Sequence, residues 1–129
     1  MKSMDQIRAA QAARFWSSEA GKTISKGGLD VAAHLPALVA RNGLLPVLAQ
    51  AKSYGEAWET LMAEVGRFLA SADMKILPQI PPTLEGFLGV LTSDRGDSLQ
   101  LQRATAETLL YLGFLKRLAR ASRHPAGTS

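Results

Sequence analysis

The residues with the types and spacing that chemistry could use are few, and each also has a structural reading. Gly21-Lys22-Thr23 matches the end of a phosphate-binding loop, whose glycine-rich backbone and lysine cradle phosphates. That loop needs a further glycine five residues earlier, where this chain has Trp16, and a preceding strand, where it reads as helix. A helix end and a turn is the better reading. His34 and His124 are the only histidines, and neither stands among acids at metal-ligand spacing. His34 reads as a core-edge side chain and His124 as part of a tail. Asp94 and Asp97 lie three apart, a spacing that a turn and a helix cap explain. The chain has no cysteine, which excludes thiolate nucleophiles, disulfides and zinc–thiolate centres. No serine occupies a nucleophile elbow. The sequence therefore offers no catalytic residue, no metal site and no cofactor motif, and it predicts a protein that binds and assembles rather than an enzyme.

What remains is charge. Fifteen Lys/Arg against eleven Asp/Glu give a net charge of +4, unevenly placed. Residues 1–53 hold seven basic and three acidic residues, residues 54–94 two and six, and residues 108–129 four and none. Basic ends around an acidic middle suit a chain that meets an anionic polymer, or that stacks its own basic surface on an acidic one. Lys116, Arg117, Arg120 and Arg123 are the basic residues of the last segment; Arg8, Arg14, Lys22 and Lys26 add charge near the N-terminus. If the first and last helices pack side by side, the two groups widen one patch to phosphate-tracking width. The last cations also suit the negative end of a helix dipole.

The elements that must position these groups are all helical. At 129 residues, 47% hydrophobic and 20% charged, the chain fits one domain with a real core. Trp58, Leu61, Met62, Val65, Phe68 and Leu69 follow the 3.6-residue period, with Ser53 and Glu56 at capping-box spacing ahead of them. A first helix is expected over about residues 4–20, with Gly27-Gly28 in the loop after it. A second ends at Asn42-Gly43, with Pro36 near its middle. Leu44 to Lys52 reads as one or two turns. Pro78, Pro81 and Pro82 mark an irregular connection, Thr83 caps a short helix through Leu91, and Asp97 with Gln100 opens the longest helix, to about Ser122. No stretch alternates as a strand does. The expected architecture is all-α, a bundle of five to six helices over residues 1–123, with a flexible tail over 124–129. No signal peptide or membrane-spanning stretch is apparent, so a cytoplasmic protein is expected.

On the last helix, Leu101, Ala104, Thr105, Thr108, Leu112, Leu115 and Ala119 share one face. Arg103, Arg117 and Arg120 lie opposite, with Ala106 and Gly113 between them and Lys116 and Arg123 flanking. Leu110 and Phe114 also fall towards the outside, and apolar groups beside arginines predict a partner surface.

These residues carry a resemblance. Arg103-Ala104-Thr105-Ala106-Glu107, then Leu109 and Leu112, then Phe114-Leu115-Lys116-Arg117-Leu118-Ala119, are similar to the small-subunit family of the Cmr complex, the type III-B CRISPR effector. Leu35-Pro36-Ala37-Leu38-Val39 with Asn42-Gly43-Leu44, Leu48-Ala49 and Lys52-Ser53 form a second block, and Arg8-Ala9 with Ala12 and Trp58 with Leu61 fit others in order. Phe114 stands where the family has tryptophan, Leu118 where it has phenylalanine and Leu101 where tyrosine is common. These departures keep apolar packing and put aromatic stacking in question. The resemblance implies a non-catalytic subunit in antiviral RNA silencing. Such a subunit would join other Cmr-complex subunits, self-associate into a short filament and touch guide RNA and target RNA. In that reading Arg8, Lys52, Arg103, Lys116, Arg117 and Arg120 face RNA phosphates, and Leu110 and Phe114 contact a neighbouring subunit. Three other readings stand beside it: a free-standing adaptor whose basic face binds an acidic protein, a peripheral membrane protein using the last helix, and a helix-turn-helix module.

Overall fold

A computed structural model describes residues 2–79, 81–93 and 98–123, which form seven helices and no strand. They are α1 (Met4–Ser17), α2 (Glu19–Thr23), α3 (Ser25–Asn42), α4 (Leu44–Tyr54), α5 (Glu56–Leu69), α6 (Leu84–Thr92) and α7 (Ser98–Arg123). The all-α class is as expected; the number exceeds the expected five to six. One reason lies at Ser18, which ends α1 with its amide on the Phe15 carbonyl and starts α2 with its hydroxyl accepting from the Gly21 amide. At this corner a Cβ on residue 21 would stand 2.0 Å from the Phe15 carbonyl oxygen, so only glycine fits. Gly21-Lys22-Thr23 thus belongs to a tight corner and short helix, where a helix end and turn were expected.

Other boundaries move for physical reasons. Gly27 and Gly28 lie inside the first turns of α3 instead of a loop. The cost of about 1 kcal/mol per helical glycine is offset by packing: Gly28 is buried under the Ile24 side chain, which a Cβ there would meet at 2.8 Å. α3 carries Pro36 within it and ends, as expected, at Gly43, whose φ of 91° suits glycine. α4 runs to Tyr54, about three turns, longer than expected. Ser53 and Glu56 form no capping box. The Ser53 hydroxyl instead donates to the Gln50 carbonyl at 2.8 Å, and the break falls on Gly55. Thr83 does cap α6, accepting from the Gly86 amide at 3.0 Å. Asp94, Asp97 and the 124–129 tail lie outside the described residues.

α5 is the centre of the bundle, packed by α3, α4, α6 and α7. Its Leu61, Met62, Val65, Phe68 and Leu69 are fully buried, each side chain contributing about 1.5–3 kcal/mol of burial. α7 lies along α3 and α1 and stacks Tyr111 on Phe68, ring centroids 4.0 Å apart.

Candidate nucleic-acid and subunit interface

α7 divides as its sequence period requires. Ala104, Thr108, Leu112, Leu115 and Ala119 are buried, and Leu101 and Thr105 half-buried, on the face towards α1 and α3. Arg103, Ala106, Arg117 and Arg120 are exposed, and Gly113, Phe114 and Lys116 half-buried. Leu110 is 49% exposed, a large apolar side chain without cover. The Arg117 guanidinium lies 5.0 Å from the centre of the Phe114 ring, a cation–π contact. Among the described residues, Arg103, Lys116, Arg117 and Arg120 enter no ion pair.

Within this face lie two stripes. At about 100° per residue, Arg103, Leu110, Phe114 and Arg117 fall within an arc of about 60°, mixing apolar and cationic groups. Lys116 and Arg120, one turn apart, form a separate cationic edge, which half-buried Leu109 and exposed Gln102 share.

Two of the expected phosphate contacts are placed elsewhere. Arg8 is 9% exposed and turned inwards. Its Nε and Nη2 donate to the two Glu107 carboxylate oxygens at 2.5 and 2.7 Å, and Nη1 donates to Asp5 at 2.7 Å. The bond to Glu107 holds its pKa above the ordinary arginine value against the cost of burial. A bidentate pair of this kind is a structural clamp, joining α1 to α7, and it commits three of the five guanidinium donors to carboxylates within the chain. The Arg8 and Glu107 blocks of the family resemblance therefore meet in one ion pair. Lys52 is exposed, but its ammonium donates to Glu85 at 3.0 Å. The Lys52 pKa is raised by the Glu85 hydrogen bond first, then by the charges of Glu85 and Glu59, and that of Glu85 is lowered by the same bond. Its surroundings are acidic, which opposes a phosphate contact. α1 and α7 do pack side by side, with Trp16 Nε1 donating to the Leu115 carbonyl at 3.0 Å. Arg8 adds nothing to the patch, however, and Arg14 lines a cleft shared with α5. His34 is exposed, not at the core edge, because it falls on the outer side of α3.

The sequence reading missed the polar groups that anchor α7. Glu64 is 8% exposed; it accepts from the Tyr111 hydroxyl at 2.5 Å and from Arg67 Nε and Nη2 at 2.8 Å, while Arg67 Nη2 also reaches Gln11 at 3.0 Å. The available signal was the helical position of Glu107 and Tyr111, four apart on the flank of the buried arc. It also missed a cleft of about 710 Å³ between α1–α2 and the starts of α5 and α6. Among the described residues no group of three His, Cys, Asp or Glu is arranged to hold a metal ion. Nor is any described helix long and apolar enough to cross a membrane.

Compared with known families, residues 4–122 match the family model described as CRISPR-associated protein (Cas_Cmr5). No curated protein and no solved structure matches the chain.

Proposed function

Since this chain belongs to the Cas_Cmr5 family, the small subunits of the type III-B CRISPR Cmr complex, we propose that it is a non-catalytic scaffold of that complex, holding RNA backbone on one stripe of α7 and a neighbouring subunit on the other. The observation that carries this reading is the division of the outer face of α7. Lys116 and Arg120 make a cationic edge with no acid paired to it among the described residues. Cations without interleaved aromatics suit phosphates and not base edges, so guide RNA and target RNA are held without sequence reading. Leu110 and Phe114, flanked by Arg103 and Arg117, are the apolar centre of a protein contact, in which copies of the chain associate into a short filament beside the other subunits. The complex works in the cytoplasm.

The test is the salt dependence of RNA binding by the chain, followed by fluorescence anisotropy with a single-stranded RNA. Each phosphate contact contributes a slope of about −0.7 in log K against log salt. Lys116→Ala/Arg120→Ala is expected to flatten the slope by about 1.4 and to weaken binding uniformly across RNA sequences. An unchanged slope removes both residues from the RNA surface.

A further inference from the structure

We propose that the cleft between α1–α2 and α5–α6 is the seat for α7 of a second copy of this chain, so that copies join head to tail. This deepens the subunit reading above and rests on it.

The cleft has an apolar floor that includes Phe15, Ala63 and Leu84, and an acidic wall where Glu56 and Glu59 open α5 and Glu85 opens α6. These acids complement the helix N-termini, and that role leaves their carboxylates facing outwards: Glu56 and Glu85 are exposed and Glu59 half-buried. Of the nearby cations, Lys52 is bonded to Glu85 and feels the charge of Glu59, and Arg67 is bonded to Glu64. Arg14 lines the facing wall, on α1. The α5–α6 wall is therefore acidic in excess.

The stripe of Arg103, Leu110, Phe114 and Arg117 is its complement. Leu110 stands out between the small residues Ala106 and Gly113. Around Gly113 the space is open: a Cβ there would meet only the Arg117 Nη2, at 3.9 Å. A partner backbone can thus come close to α7, with Leu110 entering the apolar floor and Arg103 and Arg117, one heptad before and after it, reaching the acids. Charge complementarity selects this occupant: an apolar knob flanked by two cations, against an apolar floor walled by three carboxylates.

No residue of α7 lines the cleft. The donor and acceptor surfaces are then different patches of one chain, and such a heterologous contact leaves one of each free at the ends of any row, so it extends instead of closing as a dimer. Lys116 and Arg120, on the other edge of α7, stay open to RNA along that row.

Charge reversal tests this in the full chain, read by sedimentation velocity over a concentration series and by copy number in the reconstituted complex. Glu56→Arg/Glu59→Arg alters the cleft and Arg103→Glu/Arg117→Glu the stripe. Each is expected to weaken self-association by about a hundredfold or more, since like charges then meet across the contact. A mixture of the two variants is expected to associate and extend with the two chains alternating, because the intact stripe of one meets the intact cleft of the other and the reversed stripe meets the reversed cleft. The fourfold variant, with both surfaces reversed, is expected to extend again, which shows that the altered chains fold. Reversed variants that associate like the original chain overturn the cleft assignment and leave the assembly reading intact. A single copy per complex, with no self-association in solution, overturns both. Loss of incorporation without any change in self-association assigns the cleft to a different subunit and overturns the proposal.

Discussion

Replacing Glu107 by alanine would leave the Arg8 guanidinium buried between α1 and α7 with only Asp5, whose side chain is 72% exposed, as an acidic partner. Stranding one charge of a buried pair costs about 3–5 kcal/mol, and Glu107→Ala is expected to lose that much in urea denaturation. Arg8→Met/Glu107→Leu, which removes both charges and keeps their volume, is expected to recover most of it. A double variant as unstable as the single one would show that the pair does more than neutralise itself. Tyr111 gives a second handle. Burial first, then the charge of Glu64, pushes its phenol far above the ordinary tyrosine range. The stability this contributes is complete below pH of about 10 and is lost as pH rises through the raised folded value, because the unfolded chain releases the proton first. Above pH of about 10 this group alone lowers stability by up to about 1.4 kcal/mol per pH unit. Tyr111→Phe is expected to make the alkaline limb of a stability–pH curve shallower by that slope. An identical limb would mean that the folded phenol ionises freely.

The helix starts show why some elements were legible and others not. Thr83 and Ser53 look alike in sequence, each ahead of an apolar run, yet only Thr83 caps. Its hydroxyl takes the Gly86 amide, whereas the Ser53 hydroxyl turns back to Gln50 within α4. Thr83→Ala is therefore expected to cost about 1 kcal/mol and Ser53→Ala a few tenths at most, measured by thermal unfolding; equal losses would contradict the observed start of α5. Periodicity identified the buried faces of α5 and α7 because burial repeats with the helix turn. It could not show that the Arg8 guanidinium turns inwards, since that depends on Glu107, 99 positions away. The outer stripe of Arg103, Leu110, Phe114 and Arg117 was legible because it lies on a single helix. The cleft was not, because its walls come from α1, α2, α5 and α6 and exist only once the bundle closes. The acidic middle of the sequence held the trace of it: Glu56, Glu59 and Glu85 are half of the six acids in residues 54–94.

At the scale of the whole molecule, the two ends of the chain close on each other. α1 lays buried Ala12 and Phe15 into the core, clamps α7 through Arg8 and Glu107, and fixes it again where Trp16 bonds to the Leu115 carbonyl. α7 in turn supplies both proposed contact stripes, so its placement, and not its charge alone, decides what the outer face can bind. α7 is the longest helix, but a lone helix keeps little order without an apolar face to cover. Deleting residues 1–17 would remove the α1 side of the packing on α7, the Trp16 bond to the Leu115 carbonyl and the partner of Glu107. The shortened chain is expected to keep part of its helical circular dichroism while losing a sharp thermal transition. A peptide of residues 2–18 added in trans is expected to restore that transition, and with it the salt-dependent RNA binding assigned to Lys116 and Arg120. A shortened chain that melts as sharply, and at the same temperature, as the full one would show that α3 and α5 hold α7 without α1. RNA binding that survives in a chain with no cooperative transition would show that the cations act as a loose charged segment and not as an edge set in place by the bundle.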